Sequence, residues 1–397
     1  MKRICISILC AAILLAGCVP PATLTPALPT EKTALTAAAT TVPAATLAPS
    51  PTVPPAPRRL VAYIGLDRNL WLVNVETSQT EPITEDAASY SSDNSTTVIS
   101  YDNPVWSSDG KYLAFTRETG IPDAEGYIFS FDLMVYDYER SSTRVVLQGQ
   151  QTAGMDWKPG SHILAYGKPV LNGYFLETGD VDSSLATGIW TVDVDTGDTK
   201  ELVKPLMGLH LARPQWSPNG EVIGFQEIRY MEGLGTFAFH ELSGEEYVFW
   251  EKIIGNMDWS PDGSQLVYDK MIYMPNYMER IFMINRDRTN EHQISPDIEN
   301  SYAMQPGFSP DGSQVVYLSV EGYDLDTRYR VMLLDLQSGE PRELAVFSQV
   351  EDVQWTPDGT ALLLSAGDFP EMQVLLLTPQ DGSHQNLAYG RLAAMQP

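Results

Sequence analysis

Met257-Asp258-Trp259-Ser260-Pro261-Asp262-Gly263-Ser264-Gln265-Leu266-Val267-Tyr268 is the stretch whose reading decides the fold, because five variants of it occur elsewhere in the chain. They begin at Pro104 (P-V-W-S-S-D-G-K-Y-L-A-F), Met155 (M-D-W-K-P-G-S-H-I-L-A-Y), Pro214 (P-Q-W-S-P-N-G-E-V-I-G-F), Pro306 (P-G-F-S-P-D-G-S-Q-V-V-Y) and Val353 (V-Q-W-T-P-D-G-T-A-L-L-L). Each reads as a hairpin. Pro261 presets φ for the first central turn position, Asp262 caps backbone amides ahead of it, and Gly263 accepts the positive φ of a bulged turn. The alternating apolar residues that follow form a strand.

The aromatic heading each copy is Trp106, Trp157, Trp216, Trp259, Phe308 or Trp355, at spacings of 51, 59, 43, 49 and 47 residues. Periods of that size predict a propeller array in which the rings fill the space between stacked sheets. Between copies the order is strand, turn, strand, strand, tight turn, strand, so four strands make one blade. Third strands are expected at 69–75, 132–138, 188–194, 236–242, 280–286, 330–336 and 372–378, one more than the turn motifs. The surplus unit, 60–84, lacks a first strand. Ala394-Met395-Gln396-Pro397 repeats Ala303-Met304-Gln305-Pro306 and is read as that missing strand. The expected fold is therefore all-β, a seven-bladed propeller over 58–397 closed by pairing its C-terminal strand with the N-terminal blade; six blades is the alternative.

The W-S-P-D-G units resemble the TolB-type, WD40-like propeller repeats of bacterial envelope proteins, and also the propellers that precede the hydrolase domain of dipeptidyl and prolyl oligopeptidases. The resemblance covers 60–397 and implies a propeller. TolB proteins carry an additional N-terminal α/β domain and engage a peptidoglycan-associated lipoprotein. A different segment stands at that end here, so that partnership is not transferred.

That segment opens with Lys2-Arg3, then an apolar run of 13 residues from Ile4 to Ala16, shorter than the roughly 20 that cross a bilayer. It ends in Leu15-Ala16-Gly17-Cys18, which resembles a lipobox. The resemblance implies a signal peptide over 1–17 and acyl chains, palmitate among them, on Cys18, anchoring the chain to the cell membrane on its extracytoplasmic side. Residues 18–57 are almost wholly Pro, Ala, Thr, Leu and Val and read as a disordered tether. At about 3.1 Å per residue it reaches roughly 120 Å.

Acidic residues number 51 against 25 basic, a formal charge of -26, which excludes nucleic acid as a partner. Cysteines occur only at 5, 10 and 18, so the body holds no thiol nucleophile or thiolate metal site. No G-x-S-x-G, H-E-x-x-H or phosphate-binding glycine loop occurs, and the five histidines are scattered. No catalytic residue, metal or cofactor is assigned. Asp193-Val194-Asp195-Thr196-Gly197-Asp198 has acids in the manner of a calcium loop but not the EF-hand spacing, and reads as a strand meeting a turn.

The turns joining first to second and third to fourth strands are uniformly tight, whereas every long insertion falls on the opposite face: 85–102, 119–130, 168–187, 229–235, 271–279 and 321–329. Binding residues are expected there, namely Tyr127, Tyr174, Arg229, Tyr230, Glu232, Tyr273, Tyr277, Glu321, Tyr323 and Asp324, since tyrosine buries area at little entropic cost. The expected function is an anchored binding or scaffold module for a protein, peptide or envelope glycan. The alternative is a propeller hydrolase of lactonase or glycosidase type with facing carboxylates at the central channel.

Overall fold

The computed structural model describes residues 59–91, 95–124, 126–168, 187–205, 210–228, 235–244, 248–272, 278–322, 327–368 and 371–397. All regular elements among them are antiparallel β-strands. The first unit holds β1 (Leu60–Gly65), β2 (Leu70–Asn74) and β3 (Thr80–Pro82); the second β4 (Val98–Trp106), β5 (Tyr112–Asp123), β6 (Gly126–Asp137) and β7 (Ser142–Leu147). The third holds β8 (Met155–Trp157), β9 (Ile163–Gly167), β10 (Ile189–Asp193) and β11 (Thr199–Val203). The fourth and fifth share β15 (Val248–Trp259): β12 (His210–Trp216), β13 (Val222–Ile228) and β14 (Gly235–Glu241) lie on one side, β16 (Gln265–Ile272), β17 (Met278–Asn285) and β18 (His292–Gln293) on the other. The sixth is β19 (Ser301–Phe308), β20 (Gln314–Glu321), β21 (Arg328–Asp335) and β22 (Pro341–Phe347); β23 (Val350–Trp355), β24 (Leu362–Ala366), β25 (Gln373–Leu377) and β26 (His384–Met395) follow. These repeated four-stranded units agree with the propeller repeat that the motif resembles.

The hairpin chemistry is as the motif requires. Ser260 N–H donates to Gln265 O at 2.9 Å, Gly263 (φ 69°) donates to Ser260 O at 2.8 Å, and Asp262 Oδ1 accepts from Ser260 Oγ and Ser264 N–H. The motif turns touch in chain order. Gly220 lies against Pro159, Gly263 against Pro218, Gly312 against Pro261 and Gly359 against Pro310, while Gly110 lies against Gln396. The heads Trp106, Trp157, Trp216, Trp259 and Phe308 are all buried. Several indoles also bond across units, Trp157 Nε1 to Val105 O at 3.0 Å and Trp106 Nε1 to Ala394 O at 3.2 Å. Among the described residues the buried side chains gather in seven clusters between successive units. One of them joins Leu363, Val374 and Leu376 of the last unit to Val61, Tyr63 and Val73 of the first.

β26 pairs with β25 through its first half and with β1 through its second. The register differs from the one the A-M-Q-P repeat predicts. Met395 pairs with Val61 as Phe308 pairs with Val315 and Trp106 with Leu113, so it stands at the head position. Leu392 (φ 50°) stands three residues earlier, where Asn103, Arg213 and Gln305 bend their own first strands at positive φ. Gln396 N–H donates to Leu60 O at 2.8 Å, as Ser309 does to Gln314 O. The alignment of letters is thus four residues out. Register follows burial of alternate side chains, and this one buries Ala393 and Met395. A second correction concerns 119–130, expected as a loop: β5 and β6 continue through it as one long hairpin down to Asp123↔Gly126.

Candidate functional site

The described part of the long-connection face carries a cleft of about 510 Å³ between the first and second units. Its walls come from the β1–β2 turn (Leu66, Arg68), the segment after β3 (Tyr90), β4 (Ser100 to Asp102), β5 (Glu118) and β26 (Arg391). Local sequence builds each wall. In Gly65-Leu66-Asp67-Arg68-Asn69, Arg68 N–H closes the turn on Gly65 O at 2.9 Å, and Asp67 Oδ1 accepts from Asn69 N–H and Trp71 Nε1. Arg68 is left at φ 67°, a strained conformation for a side-chain-bearing residue. Asn69 Oδ1 then accepts from Thr84 Oγ1 and Ala87 N–H, and Ala88 bridges to Ile99, which holds the chain that presents Tyr90. Gly390 sits so close to Ile64 O that a Cβ would lie 2.3 Å from it, so the β26 wall requires glycine there.

The carboxylates around the cleft are engaged. Asp86 accepts the Tyr101 hydroxyl and pairs with Arg117 Nη2 at 2.9 Å; Ser100 Oγ donates to Glu118 Oε2 at 3.3 Å. Burial, then the hydrogen bond to Asp86 and its charge, raise the Tyr101 phenol well above its ordinary value, so it stays a donor. Arg391 pairs with Glu351 at 2.8 Å. Arg68 makes no ion pair among the described residues.

At the rim, Tyr90 is 54% exposed and meets Tyr127 edge-on, centroids 5.2 Å apart; Tyr127 stacks on Phe129 at 6.0 Å and donates its hydroxyl to Thr96 O. Gly120 opposite gives these rings room to lie across the strand, since a Cβ there would come within 2.8 Å of Phe129. Ile121, Ile128 and Phe129 are exposed on the same hairpin. Of the residues expected from sequence, Tyr127 therefore belongs to this rim. Glu321 does not line the cleft; it ends β20 and binds Arg330 Nη2 at 3.0 Å in the sixth unit. Cys18, Tyr174, Arg229, Tyr230, Glu232, Tyr273, Tyr277, Tyr323 and Asp324 lie outside the described residues. Sequence reading did not single out Arg68, Arg391 or the Asp86–Arg117 pair, which are brought together only by strands distant in the chain.

A second group of carboxylates stands on the first strands. Asp156 Oδ2 accepts Trp216 N–H at 2.6 Å and Asp258 Oδ2 accepts Phe308 N–H at 2.8 Å, so each ties its unit to the next aromatic head. Both are half-buried by exposed area yet lie deep among protein atoms, and the depth governs because it removes the bulk water that would stabilise a charge. Burial raises Asp156 to about 7, with backbone bonds from Trp216 and Trp157 opposing and the Asp258 charge adding to it. Burial likewise raises Asp258 to about 6. The quoted motif held the signal: Asp precedes the aromatic in two copies, where the others have Val105, Gln215, Gly307 and Gln354. Asp193 and Asp195 do not converge on a common point. Asp193 caps the N–H of Asp195 and Thr196, while Asp195 binds Tyr112 Oη and His162 Nδ1 across the turn face.

No protein-family model matches the chain. It is 27% identical over 173 residues to dipeptidyl-peptidase 5 of Porphyromonas gingivalis, a match that takes in 40% of this chain and 25% of that protein. Among solved structures, an oligogalacturonate lyase in complex with manganese superposes with a TM-score of 0.57 and 14% identity, over 84% of this chain and 85% of that one. A prolyl endopeptidase superposes at 0.59 with 15% identity over 84% of this chain and 50% of that one. TolB from Acinetobacter baumannii gives 0.49 and 15% identity over 83% and 79%. At these identities the likeness is one of fold.

Proposed function

We propose that the protein is a membrane-anchored binding module, held by lipid on Cys18 at the extracytoplasmic side, spaced by the 18–57 tether, and contacting a protein, peptide or envelope glycan through the long-connection face of a closed seven-bladed propeller. Closure is supported by the β26–β1 pairing, the contact of Gln396 with Gly110 and the core cluster shared by the last and first units. The observation that carries the binding reading is the exposure of Tyr90 and Phe129 beside the 510 Å³ cleft, with Ile121 and Ile128 exposed on the opposite face of the same hairpin. Apolar exposure gathered on one hairpin marks interaction sites rather than ordinary surface. The acidic charge turns the module away from nucleic acid and toward neutral or cationic partners. Crosslinking pull-down from envelope extracts with the 58–397 body tests it. A partner is expected, and its recovery should fall at least tenfold when 168–187 and 271–279 are shortened; recovery of nothing overturns the reading. Replacing Cys18 by Ser should move the chain from membrane to soluble fractions.

A second reading, a hydrolase, is favoured by one observation: burial holds Asp156 and Asp258 in the range where a carboxyl can serve as a general acid, and the Asp258 charge adds to the rise at Asp156. Turnover of lactones or glycosides that is lost in both Asp156→Asn and Asp258→Asn would establish it. Absence of turnover on both classes retires it.

A further inference from the structure

Among the described residues, the hairpin of β5 and β6 leaves a strand edge unpaired. β6 pairs with β5 along its whole length, from Tyr112↔Asp137 to Asp123↔Gly126 without a register shift, but with β7 only from Leu133 to Asp137. Tyr138 N–H donates to Lys111 O, so the alternation of an antiparallel ladder directs the amides of Ser130 and Ile128 at β5. It directs the N–H and C=O of Tyr127, Phe129 and Phe131 outward, where no described residue meets them.

Open edges invite pairing, and proteins blunt them with Lys, Arg, Pro or bulges. This chain does so at several of its outermost strands. β7 carries Arg144, β11 Lys200, β22 Arg342 and β3 ends in Pro82. Between Gly126 and Asp132 the sequence Y-I-F-S-F holds none of these, and Ile128 is 63% exposed opposite Ile121 at 55%. Acids surround it, with Glu118 and Asp123 on β5 and Asp132 on β6, in a chain whose formal charge is -26.

We infer that the outer edge of β6 over 127–131 is a strand-addition site, taking an extended segment of a partner polypeptide in which apolar residues alternate with Lys or Arg. The backbone of Tyr127, Phe129 and Phe131 supplies the ladder bonds, Ile121 and Ile128 receive the apolar side chains, and the flanking carboxylates select for cations. This rests on the binding-module reading and names the partner class for that face.

The test uses the full-length chain in detergent and a fluorescent, end-blocked (Lys-Val)4 peptide, with (Glu-Val)4 as comparator. Binding to (Lys-Val)4 is expected to exceed that to (Glu-Val)4 at least tenfold and to slow hydrogen exchange at the amides of Phe129 and Phe131, leaving those of Ile128 and Ser130 unchanged. Phe129→Pro removes an outward donor without touching the β5 ladder, and Ile128→Lys replaces the apolar contact with a repelling charge; each should weaken binding at least tenfold. If Phe129→Pro disturbs the hairpin, Ile128→Lys, at an exposed position, decides alone. Absent peptide binding, or affinity unchanged in both variants, overturns the proposal. So does protection of these amides without peptide that rises with protein concentration, which identifies a second copy as the occupant. A partner captured by the 58–397 body and kept by both variants retires strand addition while leaving the module reading; capture of nothing retires the module itself.

Discussion

Asp156 shows how one position in a repeat can serve structure and chemistry together. Its carboxylate holds Trp216 N–H, yet its surroundings make ionisation costly. An unfolded aspartate ionises near pH 4, the folded one near 7, so between these values the folded state binds the extra proton and stability falls as pH rises. Asp156→Asn keeps an acceptor for Trp216 and removes the charge. It should raise the melting temperature by a few degrees at pH 8 and change it little at pH 5, as read by thermal denaturation at both. A fall at both would mean that the negative charge itself is needed to hold Trp216. The motif displayed this residue plainly, but its hydrogen bond comes from Trp216, 60 residues along the chain, and part of its raised pKa from the Asp258 charge, so neither could be read locally.

β26 is the element on which the arrangement of the first and last units turns. Its second half covers β1, buries Ala393 and Met395 and offers Ala394 O to Trp106. Deleting 391–397 exposes the edge of β1 and opens the clusters on either side of it, so the melting temperature should fall by more than about 10 °C, measured by circular dichroism. An unchanged melt would show that the pairing carries no stability. That a strand here would join the first unit was legible from the count of third strands. Its register was not, because A-M-Q-P matches two places by letter while burial of Met395 selects only one.

Across the whole molecule, the seven inter-unit clusters among the described residues and the order of turn contacts support the proposed ring, whose seam would fall inside a copy of the motif. Met395, Gln396 and Pro397 stand where Trp259, Ser260 and Pro261 stand in the fifth unit, and Leu60 stands where Gln265 does. Arg59 then corresponds to Ser264, and only the counterparts of Asp262 and Gly263 are missing. Joining Pro397 to Arg59 through Asp-Gly should therefore complete a seventh W-S-P-D-G-type hairpin without strain. The cyclised 59–397 chain should melt several degrees above the linear one, since closure removes unfolded-state entropy. A lower melting temperature would place the two ends in a different geometry.

The sequence by itself determined the strand units and the hairpin chemistry, because turn residues and alternating burial act over a few positions of chain. Third strands expected at 280–286 and 330–336 appear as β17 and β21 within two residues at each end. Tertiary structure alone decided that Arg68, Tyr90, Tyr101 and Arg391 share one cleft and that Met395 takes the head position. Each of these depends on contacts between chain segments far apart in sequence. Their energies come from packing and desolvation, which no local pattern records.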